Sequence, residues 1–183
     1  MKKFLVTAFL VWSFFLLQTA VCPWFAFGGI KPNLLILLTA SIGLMEGEKP
    51  GMWTGFSCGL LADLFAANGM SLTAASGVGA GDLLGFYALL YLYVGYLCGK
   101  ANRLFFPEDI LLPLGMIAAA DTCVSLVCYI VMFFMRARLE IGYYILHVIL
   151  PETVYTIVVA FIFYPLLLFL HKRMSLADRG STE

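Results

Sequence analysis

The stretch from Gly51 to Phe65 reads GMWTGFSCGLLADLF. It is apolar enough for a membrane interior, yet it carries a carboxylate at Asp63 and a repeat of period four: Gly51, Gly55, Gly59, then Asp63. Residues four apart lie on one face of an α-helix. Glycines so spaced let a neighbouring backbone approach closely, which matters in lipid because packing, not apolar burial, holds helices together there. Gly51, Gly55 and Gly59 are therefore read as helix-packing positions. Asp63 continues their stripe, so it faces a neighbouring helix and not hydrocarbon, where a carboxylate is costly. It is either a hydrogen-bonded structural acid or part of a polar functional site.

The rest of the chain explains the solvent. Of 183 residues, 62% are hydrophobic and 12% charged, and the mean hydropathy is +0.96. A soluble domain of this size needs a more polar surface. The charges sit in short clusters between long apolar runs, the pattern of an all-α polytopic membrane protein. A membrane barrel would instead alternate apolar and polar residues over segments of about ten residues. With a formal net charge of +0 and no basic patch, nothing points to nucleic acid. The cysteines, Cys22, Cys58, Cys98, Cys123 and Cys128, show no metal-ligand spacing and are read as small packing residues. A lipid-modified Cys22 is the sharper alternative; the long apolar run before it favours an uncleaved first span.

Six apolar segments follow, over residues 4–21, 34–45, 52–65, 83–98, 110–135 and 144–170. The second and third are short for a bilayer core of about 30 Å, so neighbours should cover them or the bilayer should thin. Pro151 either kinks the sixth or marks where a surface helix becomes the span. The expected architecture is one bundle of six transmembrane helices, a single domain over residues 1–173, followed by a short disordered tail over 174–183. With both termini cytoplasmic, eight Lys and Arg residues fall inside and three outside, the asymmetry expected of a multi-pass membrane protein in that orientation.

Two further acids lie in apolar segments, Asp121 in MIAAADTCVS and Glu152 in ILPETVYT. At 1.5 Å per residue, Asp63, Asp121 and Glu152 stand about 20, 18 and 28 Å from the inner face. These depths predict one outward-opening polar cavity, with Thr122, Ser125, Thr153, Thr156 or His147 as partners. They also predict that Asp63→Asn folds normally, the amide keeping the hydrogen bonding of a neutral acid. Catalytic motifs are missing from the sequence: there is no G-x-S-x-G, no H-E-x-x-H, and LLADLF and AAADTC do not resemble intramembrane aspartyl protease motifs. No metal, cofactor or enzymatic activity is expected. The tyrosines of GFYALLYLYVGYLCG, namely Tyr87, Tyr91, Tyr93 and Tyr96, are read as packing and interface anchors.

The order of these features resembles a known family. KPNLLILLTASIGLMEGEKPGMWTGFSCGLLADLF is similar to a pattern of an outer Pro-Asp-Leu-Leu start, a short span, a charged turn and a Gly-rich span ending in Asp-Leu. LGFYALLYLYVGYLCG resembles the Leu-Gly-x-x-Ala-Leu…Gly-Tyr-x-x-Gly segment that follows it, and ILPETVYT the last span. The family is that of the rod shape-determining protein MreD. Asn33 stands where the family often has Asp, and the outer loop between Phe65 and Leu83 is longer than usual. The resemblance implies a non-enzymatic membrane component of the bacterial cell-elongation complex. Its implied partners are MreC, the MreB filament, RodA and its transpeptidase partner, with membrane lipids around it, in support of peptidoglycan synthesis and rod shape. Asn33 joins Asp63, Asp121 and Glu152 as a candidate for a polar cavity or partner contact. The alternative is a vitamin-binding subunit of an energy-coupling-factor transporter, a family of similar fold. FLVTAFLVWSFFLLQTAV lacks the Ala-x-x-x-Ala that many such subunits carry.

Overall fold

A computed structural model of the chain describes residues 2–21, 24, 31–67, 85–102, 111–136, 147 and 149–179. Among these residues there are six α-helices and no strand: α1 (Lys2–Ala20), α2 (Leu34–Glu46), α3 (Glu48–Ala67), α4 (Phe86–Ala101), α5 (Leu111–Arg136) and α6 (Leu150–Arg179). The chain is all-α, as its patterning requires. Cys22, residues 68–81, expected as an outer loop, and residues 103–109 after α4 lie outside the described residues.

Helix α2 is the centre of the molecule. It touches each of the other five helices. Every residue from Leu34 to Leu44 is buried. Its sequence, LLILLTASIGLME, is apolar on all sides, and such a helix is stable only when covered all round. With 13 residues it is about 20 Å long, shorter than a bilayer core, and neighbouring helices surround it.

Only Gly47 separates α2 from α3. It adopts φ 95 and ψ −168, a backbone region open essentially to glycine alone. Its N–H donates to the Gly43 carbonyl at 2.9 Å, and its carbonyl accepts from the Gly51 N–H at 3.1 Å, so the reversal is bonded on both sides. Helix α3 thus starts four residues before the expected Met52. Pro50 is no obstacle, because N–H groups in a first helical turn have no intrahelical acceptor to lose. Glu48 in that turn suits the positive end of the helix dipole. A Cβ at position 47 would meet nothing within 4 Å, so the cost of Gly47→Ala is backbone strain alone. That variant should lose about 1–3 kcal/mol, read as a lower unfolding temperature in detergent.

Helices α3 and α4 share the most extensive contact in the fold. A Cβ at Gly51 would lie 2.6 Å from the Gly95 carbonyl oxygen and 2.8 Å from the Gly43 Cα. One at Gly55 would fall on the Tyr91 carbonyl, and one at Gly59 would sit 2.7 Å from the Ala88 nitrogen. The stripe is answered from the other side. Gly95 lies against the Gly51 carbonyl, and a Cβ at Gly99 would come within 2.6 Å of the Glu48 nitrogen. Asn102, just past α4, donates to the Leu44 carbonyl and ties the far end of the seam to α2.

Helices α5 and α6 form a second unit. The Thr122 and Thr153 hydroxyls lie 3.2 Å apart, and Asp121 faces Thr156. One index falls as the other rises, so the pair is antiparallel. It joins the rest chiefly through α2, with little contact to α4. The α-helical geometry of α6 begins at Leu150, later than the expected 144, with Pro151 in its first turn and π-helical Ile149 directly before it. It continues to Arg179, past the expected boundary at 173/174. Helix α1 closes the bundle through edge-to-face contacts of Phe15 with Phe65 at 4.6 Å and of Phe14 with Phe163 at 5.6 Å.

The outward faces are apolar. Phe9 is 71% exposed, Trp53 68%, Leu97 58% and Ile162 65%. Such surface is a liability in water and the normal exterior of a protein in lipid. Among the described residues two helices are long and apolar enough to cross a membrane, over Leu111–Val131 and Leu150–Leu170.

Candidate functional site

Polar side chains are buried where the start of α2 meets the end of α1 and the first turns of α4 and α6. The physical cause is the set of backbone N–H groups that every helix start leaves without an intrahelical acceptor. Asn33 caps α2, its Oδ1 accepting from the Ile36 N–H at 3.2 Å. Asn and Asp serve this role about equally, so the departure from the family's aspartate keeps the cap. Neighbouring helices supply the remaining acceptors. Gln18 of α1 accepts from the Leu34 N–H through Oε1 at 2.8 Å and donates through Nε2 to the Pro32 carbonyl at 2.9 Å. Thr156 of α6 accepts from the Asn33 N–H at 3.3 Å. The Asn33 Nδ2 donates to the Tyr91 hydroxyl at 3.1 Å, and that hydroxyl also lies 3.2 Å from Oδ1.

Asp63 does the same for α4. Its Oδ1 accepts from the Tyr87 N–H at 3.0 Å and its Oδ2 from the Ala88 N–H at 2.9 Å. Gly85, before α4, offers no side-chain cap, so the acid on α3 takes its place. Both oxygens of Asp63 are committed to backbone donors, and the carboxylate sits at the positive end of a helix dipole. This is why the acid ends the glycine stripe: the residue that follows three close-approach positions is the one that reaches the partner's first turn.

Asp121 and Glu152 lie elsewhere, in the α5–α6 unit, and both are fully buried. Asp121 faces the Thr156 hydroxyl, and the Tyr91 hydroxyl feels its charge across the α4 boundary. Glu152 stands in the first turn of α6, one turn before Thr156, and acts electrostatically on Cys128. The four sequence candidates thus divide. Asn33 and Asp121 are linked through Thr156 and Tyr91, and Glu152 lies one turn before Thr156 on α6, whereas Asp63 is engaged with the α4 backbone. Of the other hydroxyls considered, Thr122 and Thr153 bond to each other, and His147 is exposed. Cys58, Cys98 and Cys128 are buried thiols in helix contacts, and Cys123 is exposed. Tyr87 and Tyr91 are buried, Tyr93 is exposed, and Tyr96 carries Lys100 over its ring at 5.8 Å. Among the described residues no group of three or more His, Cys, Asp or Glu side chains could hold a metal ion.

Sequence reasoning missed Gln18, Gly95 and Gly99. Gln18 carried a signal: it is the one glutamine of the chain and lies in an otherwise apolar run. Gln18→Ala should cost about 2 kcal/mol, because it strands the buried Leu34 N–H and the Pro32 carbonyl. The check is thermal unfolding in detergent, and an unchanged midpoint would show that other groups satisfy both.

Comparison with known proteins gives one finding of identity. No curated protein and no solved structure matches the chain. The family model described as rod shape-determining protein MreD matches residues 1–174. The match takes in the glycine stripe and its Asp63, the short covered α2 with its Asn33 cap, and the α5–α6 pair. The family is one of shape-determining, membrane-associated components and is not a known enzyme family. By this match over nearly its whole length, the chain belongs to the MreD family.

Proposed function

We propose that this protein is a non-enzymatic, six-span component of the bacterial elongation complex, which binds MreC and supports peptidoglycan synthesis along the cell cylinder. The family match carries the reading. A scaffold must hold its shape in lipid, and the side chains here are spent on that. The buried amides and the Asp63 carboxylate close helix starts, and the glycines close a backbone-to-backbone seam. Both termini are cytoplasmic in this proposal, on the strength of the Lys and Arg asymmetry, and residues 1–173 form one domain. RodA, its transpeptidase partner and MreB are reached through the same complex.

Co-purification tests the partner. The protein solubilised from membranes should retain MreC through washing, and cells lacking it should round up and recover rod shape on complementation. Failure to retain MreC, with restored vitamin uptake in a transport-deficient strain, would favour the energy-coupling-factor alternative. Topology is tested by cysteine labelling at Ser76 and Ser181. Ser76→Cys should react with an impermeant reagent from outside and Ser181→Cys only after the membrane is opened; reaction of both from outside would refute six spans.

A further inference from the structure

We propose that Asp121 and Glu152 form a binding site for one small monovalent cation, a proton or a sodium ion, at the seam between the α5–α6 pair and α2. Three observations converge on it. First, among the described residues the fully buried Asp121 carboxylate finds no well-formed hydrogen bond for either oxygen, only the Thr156 hydroxyl turned toward it. A buried carboxylate left in that state is costly, and a bound cation removes the cost. Second, the two acids share one side of an antiparallel pair. Thr122 and Thr153 touch, and Asp121 and Glu152 each precede a member of that contact. One step back along each of two antiparallel helices rotates both side chains to the same side, here the side covered by α2 and α4. Third, the Thr156 oxygen already accepts from the Asn33 N–H, so its own hydroxyl proton or its second lone pair is turned toward Asp121.

The polar groups gathered here are two carboxylates, the Thr156 hydroxyl and the Tyr91 hydroxyl, with the Cys128 thiol near Glu152. Hard oxygen donors suit a proton or an alkali cation and not a soft metal. The titratable groups that face the site are Tyr87 and Tyr91 from α4, Cys128 from α5 and Glu152 from α6. From the α2 side the facing group is Asn33, with half-buried Lys31 two residues before it in the sequence. Asp63 takes no part, since its two oxygens are filled by backbone N–H groups. The site lies where the second helical unit meets the first, so its occupancy governs how firmly α5 and α6 are held.

The test uses the full chain in detergent. Its unfolding midpoint is followed in sodium chloride against choline chloride at constant ionic strength, from pH 5 to pH 9. Occupancy about a hundredfold above the dissociation constant should raise the midpoint by on the order of 5 °C. A rise with sodium at pH 9 assigns the site to sodium; a rise only with falling pH assigns it to the proton. Either dependence should vanish in Asp121→Asn. A wild-type midpoint indifferent to both, or a dependence that survives in Asp121→Asn, overturns the proposal. Should that variant fail to fold, the wild type is treated with dicyclohexylcarbodiimide and mapped by peptide mass spectrometry. Modification at Asp121 or Glu152, and not at Asp63, that falls with sodium or with rising pH supports the site. Modification insensitive to both, or confined to Asp63, refutes it.

Discussion

Gly55→Ala should leave little folded protein. A single methyl group there would fall on the Tyr91 carbonyl oxygen and within 3.0 Å of the Thr39 side chain. The obstacle is backbone, which no rotamer change can move, so α3 and α4 must separate along their whole seam. Overpacking a core usually costs about 1–3 kcal/mol, and this case belongs at or above the upper end. Gly115→Ala is the control. It also lies within a helix, yet a Cβ there meets nothing within 4 Å, so that variant should be neutral or gain up to about 1 kcal/mol from better helix propensity. The measurement is the monodisperse fraction after detergent extraction, with the unfolding midpoint. Equal behaviour of the two variants would mean that α3 and α4 do not meet as described.

Asp63→Leu should be comparably severe, for a different reason. It removes both acceptors of the Tyr87 and Ala88 N–H groups and leaves two buried donors at the start of α4. At about 1–3 kcal/mol for each stranded donor, the loss is on the order of 4 kcal/mol. Asp63→Asn should fall between. The amide oxygen can accept one N–H, but its NH2 turns a donor toward the other. The structure therefore corrects the sequence-based expectation that Asn folds normally, which treated the residue as a neutral acid among hydroxyls and not as a double acceptor. Ranked midpoints of wild type, Asn and Leu, in falling order, check this. Equal midpoints for Asn and wild type would show that a single acceptor is enough.

The helical segments could be read from apolar runs because lipid-facing and buried positions are both apolar, so length and hydropathy locate them. Their limits were harder to read. Pro50 and Pro151 both look like breaks in a sequence, but Pro50 lies in the first turn of α3 and Pro151 where π-helical geometry gives way to α-helix, and which of these a proline does depends on its neighbours. The period of the glycine stripe showed that Gly51, Gly55 and Gly59 share a face. It could not name the partner, because Gly95 and Gly99 show the same spacing for many possible pairings. The depths of the acids were legible from residue counts, but direction was not. Depth is one coordinate, and an acid's role depends on which helix start lies within 3 Å of it. Asp63 and Asp121 stand at similar estimated depths and do different things.

The single-residue joint at Gly47 bears on how the protein is made. Helix α2 is too short to span a bilayer and has no side left for lipid once its neighbours are in place, so alone in a membrane it has no stable position. Joined to α3 by one residue, it can be delivered only as half of a hairpin. The contacts that then secure it, from α3 and α4, come from the next stretch of chain, and contacts between near neighbours form quickly. Ordering of the Asn33 end of α2 waits for the last helix, since the Asn33 N–H finds its acceptor only when Thr156 has been synthesised. A chain stopped before α6 would hold α1 to α5 with the Asn33 N–H still lacking its Thr156 acceptor.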